Sequence, residues 1–229
     1  MTRKREEMFD VKTSMAVTGE LAVVFVDLVS FTALTEVHGD VAGADAAGAL
    51  VAIVESHLDG ESRLVKTLGD GVLITTPTPL HALQMAASIV EGLHDLDDGF
   101  DARAGAHHGP VVERGGDVFG STVNLASRVS SLAAPGRIVA TRPVAESVAD
   151  LDLAATPLGQ QRVRGFVEPV ELFEIDPCEH DGHWVTDPVC GMRLPIDKVV
   201  ASRASATWEF GFCSLRCTEI FDHAPERFV

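Results

Sequence analysis

Tyrosine is absent from this 229-residue chain, and aromatic residues make up only 6% of it. Cysteine is missing from the first 177 positions; all four, Cys178, Cys190, Cys213 and Cys217, fall near the C-terminal end. Basic side chains are scarce, with 18 Lys and Arg against 34 Asp and Glu, for a net charge of −16. A field of that sign repels a polyphosphate backbone, so nucleic acid is excluded as the expected partner. No apolar run approaches the ~18 residues that a membrane-spanning helix needs, which argues against a membrane partner. The opening MTRKREEMFDVKTS is basic but meets Glu6, Glu7 and Asp10 where an export signal would turn apolar. A cytoplasmic protein is therefore expected. The GxxxxGKS/T, HExxH and GxSxG motifs are all missing.

What is present is globular: 46% hydrophobic and 23% charged residues, enough to bury a core. The charge is uneven. Residues 185–229 carry five basic and six acidic side chains, so nearly all the negative charge lies before them. This pattern predicts an acidic cysteine-free domain, a polar linker (177–184) and a small cysteine-bearing module (185–229). Without an export signal, clustered cysteines point to metal or redox chemistry more than to disulfides.

Periodicity supplies the elements. ELAVVFVD (20–27) reads as a buried strand, and Gly39 to Gly60 as a helix with Ala46, Leu50, Ile53, Val54, His57 and Leu58 on one face. RLVKTL-GDG-VLITT is a hairpin around an Asp-Gly turn. Leu80–Leu96 returns to helical spacing, Asp101–Val112 is a strand, and Gly120–Ser131 is a helix opened by Ser121 or Thr122. Short strands are expected at Arg137–Ala140, Leu151–Leu153, Gln161–Arg164 and Glu171–Ile175. The order predicts an α+β fold, a ferredoxin-like βαββαβ sheet with its helices on one face.

Asp27 ends an apolar strand, where a carboxylate costs desolvation energy unless a cation meets it. Asp70 sits in the hairpin turn, able to converge on a neighbouring strand end, and paired carboxylates suit Mg²⁺ or Mn²⁺; alone, an Asp before Gly is a turn residue. Asn124 and Arg128 lie four apart on a helix, so their heads point the same way. An arginine there is suited to clamp a phosphoryl group. Lys66 and Asp117, taken singly, read as an edge-strand lysine and a turn residue.

Jointly, FVDLVSFTALTE (25–36), VKTLGDGVLI (65–74), RAGAHHGPVV (103–112) and DVFGSTVNLASR (117–128) resemble the class III nucleotide cyclases, with a looser match at RVRGFVEPVELFEI (162–175). The resemblance implies a cyclase catalytic domain over residues 18–176, preceded by an N-terminal segment (1–17). It places Asp27 and Asp70 as metal carboxylates and Lys66 and Asp117 as the purine-reading pair. Asn124 would orient the ribose, Arg128 stabilise the phosphoryl transition state, and Arg164 bind the terminal phosphates. It also implies a head-to-tail homodimer that converts ATP to cyclic AMP with two divalent ions per site. A guanylate cyclase and a non-catalytic nucleotide or metal sensor are the alternatives. RGGDVF also resembles the diguanylate cyclase signature, but Val118 and the following GSTVNLASR favour the first family. His107 and His108 read as structural.

The tail carries DPVCGM (187–192), FGFCSLRC (210–217) and HAPERF (223–228) and resembles the small YHS or TRASH-like metal-binding module. Cys213 and Cys217, at i and i+4 on a helix, present both sulfurs to one side, and with Cys190 they suit Zn²⁺ or another soft transition metal. A fourth ligand is open among His223, His180, His183 and Cys178. Trp208, Phe210 and Phe228 stand where aromatic or tyrosine positions are usual. The alternative is a packing module with reduced, buried thiols.

Overall fold

Strand β1 (Val17–Leu28) is two-sided: Ala22, Val24, Val26 and Leu28 pack into one core, while Val23 and Phe25 pack into another on the opposite face. Period-two alternation sends Asp27 to the second face. In the computed structural model, which describes residues 17–96, 99–178, 184–204 and 209–228, β1 leads to α1 (Phe31–His38) and α2 (Asp40–His57). The hairpin β2 (Arg63–Thr67) and β3 (Gly71–Thr76), then α3 (Pro79–His94) and β4 (Ala102–Arg114), complete the βαββαβ unit. Its strands run β2-β3-β1-β4, antiparallel throughout, as a ferredoxin-like sheet requires.

Beyond it, β5 (Asp117–Phe119), α4 (Ser121–Ser130), β6 (Ile138–Thr141), α5 (Arg142–Ala145), β7 (Ala155–Gln161) and β8 (Val170–Ile175) follow. They extend the sheet to β2-β3-β1-β4-β6-β8-β7, and β5 folds back on β4. Helices α2 and α3 cover the first face through Ala46, Leu50 and Val54 and through Leu83, Ala86, Ile89, Val90 and Leu93. Each fully buried Leu or Ile contributes about 1.5–3 kcal/mol. Pro79 and the Thr78 side chain, which accepts from the His81 N–H at 3.2 Å, start α3.

The two helices expected within the βαββαβ unit do share one face, and α4, which follows the unit, covers the other. Its Val123 and Ala126 pack with Val23, Phe25 and Leu73 on the other side of the sheet. Gly105 permits this: a Cβ there would lie 2.1 Å from the Ser130 nitrogen and 2.6 Å from the Ala126 oxygen. Neither Ser121 nor Thr122 caps the helix. Gly120 holds the N-cap position, and the Thr122 hydroxyl instead donates to the Pro110 carbonyl at 2.7 Å. Helix α1 was not foreseen; no strand forms at Leu151–Leu153, where a 3₁₀ helix (Glu146–Leu151) ends, and the strand expected at Gln161–Arg164 lies earlier, as β7 (Ala155–Gln161).

The C-terminal module is two hairpins, β9 (Trp184–Thr186) with β10 (Arg193–Pro195) and β11 (Ala201–Ala204) with β12 (Glu209–Phe212), followed by α6 (Leu215–His223). Phe221 stands 5.1 Å from both Phe210 and Phe212 and 6.0 Å from Phe228, so phenylalanine fills the core that lacks tyrosine. Trp208 lies outside the described residues. Among the described residues no helix is long and apolar enough to cross a membrane.

Candidate active site

Asp27 is brought to the hairpin turn by strand register. It lies opposite Gly71 on β3 and Arg103 on β4, and the Leu28 N–H donates to the Asp70 carbonyl at 3.1 Å. The turn itself closes through the Leu68 N–H on the Gly71 carbonyl at 2.7 Å. Burial, and then the charge of Asp70, push the Asp27 carboxyl above its ordinary value. Arg103 opposes this with an Nη2–Oδ2 contact at 3.3 Å. Two mutually repelling carboxylates without full neutralisation are a site that a divalent cation relieves. Gly71 makes the cradle: a Cβ there would stand 2.7 Å from Asp27 Oδ1 and 2.9 Å from the Val26 carbonyl oxygen. The donor set and this cradle fit Mg²⁺ or Mn²⁺.

Asp27 and Arg128 line the same cleft, about 190 Å³, together with Phe25, Leu68, Gly71 and Ser127. Asn124 and Arg128 both lie on the exposed face of α4, as their spacing requires. A volume of 190 Å³ falls short of the ~300–1,000 Å³ of sites that enclose a small molecule. A larger groove of about 380 Å³ on the C-terminal module, lined by Val185, Ile196, Val199, Ser202, Glu209 and Gly211, holds none of the expected site residues. The smaller cleft is therefore the candidate.

Lys66 and Asp117 are brought together. Lys66 Nζ donates to both carboxylate oxygens, at 2.8 and 2.6 Å, and Asp117 also accepts from the Val118 N–H at 2.8 Å. The Lys66 bond holds the Asp117 carboxyl below its usual range. An irregularity between Leu64 and Lys66 sets Lys66 opposite Leu73, whose side chain packs with α4. Arg164 sits exposed in the turn between β7 and β8 and is not among the residues lining the cleft. Sequence reasoning missed Arg103; its only signal was the register of β1 with β4.

The three module cysteines also converge. Cys213 Sγ is 3.5 Å from both Cys190 Sγ and Cys217 Sγ. Their mutual S–H contacts push the Cys190 thiol up and draw the Cys217 thiol down. Of the candidate fourth ligands, Cys178 is buried in the sheet core instead, its thiol pushed up to about 12 by burial, and His223 is exposed on α6. His180 and His183 lie outside the described residues. The fourth group beside the thiols is His38, from α1, which no local spacing signalled.

The fold, the convergent acidic pair and the arginine-bearing helix across the cleft define the class as a nucleotide cyclase core. The chain belongs to the family described as adenylate and guanylate cyclase catalytic domain, which it matches over residues 13–176. It is 35% identical over 161 residues to a pH-sensitive adenylate cyclase of Mycobacterium tuberculosis, covering 68% of this chain and 40% of that protein. The chain thus spans about 40% of the length of the curated relatives it matches first. The adenylyl cyclase CyaB from P. aeruginosa superimposes with a TM-score of 0.62 at 20% identity, over 73% of this chain and 98% of that one. An adenylate/guanylate cyclase/hydrolase from Silicibacter pomeroyi gives 0.60 at 26% identity, over 72% and 100%.

Proposed function

We propose that residues 18–176 form 3′,5′-cyclic AMP and pyrophosphate from ATP at two composite sites of a cytoplasmic homodimer. The observation that carries this is the strand register that sets the Asp27 carboxylate against Gly71 and beside the Asp70 turn, where a divalent ion relieves two acidic groups. Asp27 and Asp70 would hold Mg²⁺ or Mn²⁺, which when bound acidify the ribose 3′-hydroxyl and neutralise the triphosphate. Asn124 orients the ribose. The Arg128 guanidinium, with its fixed fork of donors, meets charge that grows on the α-phosphoryl oxygens. Arg164 supplies a cation for the terminal phosphates.

Lys66 and Asp117 read the base by polarity. Adenine offers an acceptor at N1, which suits the Lys66 ammonium, and a donor at N6, which suits the Asp117 carboxylate. Guanine reverses both and leaves desolvated groups unpaired. The two side chains bond to each other, 39% and 32% exposed. Such a pair contributes at most about 1 kcal/mol, so a base separates them at little cost.

Two features support a dimer. The single-chain cleft is too small for a nucleotide, and apolar surface is left open beside it. Leu68 in its wall and Leu132 next to the lining Ser131 are 45% and 50% exposed. The module at 185–229, joined through 177–184, is read as YHS-like and metal-binding, a regulator of the cyclase.

The test is product analysis with ATP and GTP in Mg²⁺ and Mn²⁺, followed by mixing Asp27→Ala with Arg128→Ala. With random exchange, half the dimers are mixed and each has one intact site, so about a quarter of wild-type activity returns. No rescue despite demonstrated exchange rejects composite sites. No cyclic nucleotide from either substrate rejects the cyclase reading.

A further inference from the structure

We infer that His38, a residue of the cyclase domain, completes with Cys190, Cys213 and Cys217 a four-donor Zn²⁺ site that staples the C-terminal module onto α1. This goes beyond the module's cysteine motif, because the fourth donor comes from a different part of the chain, 152 residues before Cys190. The inference rests on the reading of the three thiols as metal ligands.

The distances fit a tetrahedron. Zn–S bonds of about 2.3 Å and Zn–N bonds of about 2.0–2.1 Å imply S···S separations near ~3.8 Å and S···N separations near ~3.6 Å. The two measured S···S distances are 3.5 Å, and His38 Nε2 stands 3.4 Å from Cys213 Sγ and 4.0 Å from Cys217 Sγ. All four donor atoms lie within 4.8 Å of one another. Three thiols and an imidazole form a soft, closed set that matches structural zinc and not Mg²⁺ or Ca²⁺.

The scaffold around the donors is built. Asp187 is fully buried. Its Oδ1 accepts from the Val189 N–H at 2.8 Å, and its Oδ2 from the Cys213 N–H at 2.8 Å. One carboxylate thereby ties the loop bearing Cys190 to the strand end bearing Cys213, the supporting role that outer partners of metal ligands play. Ser214 caps α6, accepting from the Cys217 N–H at 3.2 Å, and so aims Cys217 at the same point.

The module is seated where the site requires. Val37 of α1 belongs to its apolar core with Phe212, Phe221 and Cys217. Gly191 abuts Ser30, leaving no room for a Cβ, which would come within 2.3 Å of the Ser30 hydroxyl. Arg216 donates to the Glu36 carbonyl at 3.4 Å, and the Arg193 N–H to the Gly99 carbonyl at 2.7 Å. Ser30 is three residues beyond Asp27. A metal that fixes His38 therefore also fixes the segment between the candidate magnesium carboxylate and α1. A module with so small a core needs such a tie.

The test uses the full reduced chain, with Zn²⁺ and spectroscopically visible Co²⁺ as probes, against His38→Gln, His223→Ala and Cys213→Ser. Folding of each variant is checked by its thermal transition in chelator. Wild type and His223→Ala are expected to bind one equivalent with a three-sulfur, one-nitrogen coordination shell by X-ray absorption. His38→Gln should lose the nitrogen and weaken Zn²⁺ by at least about 100-fold. Hydrogen exchange across residues 28–38 should slow on Zn²⁺ addition in wild type and stay unchanged in His38→Gln. If Cys213→Ser abolishes binding while His38→Gln matches wild type in affinity and shell, the His38 staple is wrong and the cysteine reading stands. If the reduced wild-type chain binds no Zn²⁺, or its cysteines form a disulfide under reducing purification, both are wrong.

Discussion

Replacing Gly71 by alanine isolates the link between backbone packing and metal chemistry. The new Cβ would sit 2.7 Å from Asp27 Oδ1 and 2.9 Å from the Val26 carbonyl oxygen, where ordinary contact begins at 3.4 Å. The shortfalls are 0.7 Å on the carboxylate and 0.5 Å on the neighbouring strand. Gly71 does not have a positive φ, so alanine meets no backbone penalty there. It gains about 0.5–1 kcal/mol in a strand, set against about 1–3 kcal/mol for overpacking. The net loss of at most ~2.5 kcal/mol lowers the thermal midpoint by several degrees and leaves the protein folded. Activity should suffer far more, because a misplacement approaching 1 Å at a reacting centre costs on the order of 10²-fold. Gly48→Ala in α2, where a Cβ meets nothing within 4 Å, is the control: up to ~1 kcal/mol more stable and unchanged in rate. The assay is cyclic nucleotide formation across a Mn²⁺ titration, with stability measured in parallel. A Gly71→Ala enzyme that stays folded and within about threefold of wild type at every metal concentration would refute the placement of Asp27 as a ligand held by this cradle.

Three further outcomes are expected. Asp27→Asn should raise the melting temperature in divalent-free buffer near neutral pH and abolish the increment that Mn²⁺ adds. The Asp27 carboxyl is raised above 3.8 by burial and by Asp70, so the stability linked to its proton is present below that value and lost as pH rises through the folded one. At neutral pH its charge is a cost that asparagine removes. Arg128→Ala should lower kcat by about 10²–10³ with a smaller change in KM, since its charge is needed most in the transition state; an equal rise in KM at constant kcat would refute that role. His107, held at about 4 by burial and then by His108 and bonded to Thr141 at 2.7 Å, is neutral in the fold. Its contribution is intact above 6.5, and melting temperature should decline from there toward pH 4. His107→Gln should flatten that limb, and an unaltered slope would count against the assignment.

Several features were legible because they depend on near neighbours. The apolar run ending in Asp27, the Asp-Gly turn at Asp70 and the four-residue spacing of Asn124 and Arg128 each reach their place through local geometry that sequence pattern encodes. Position within α4 was readable, but which face of the sheet it covers was not. That depends on Gly105, in a strand 16 residues before the start of the helix, having no side chain. Helix α1 escaped notice for a related reason: Ser30, in the left-handed region at φ 57°, makes the break between β1 and α1 without the glycine or proline that usually marks one.

Residue order alone determined the alternating strands, the paired acidic groups and the cysteine triplet, because periodicity and short spacings act within a few residues of the chain. Tertiary packing alone decided that Arg103 stands against Asp27, that Lys66 meets Asp117 across the sheet, and that His38 lies beside three sulfurs more than 150 residues away. Such partners are set by strand register and by the docking of one core on another. Both are free-energy minima of the whole chain, written in no single segment of it.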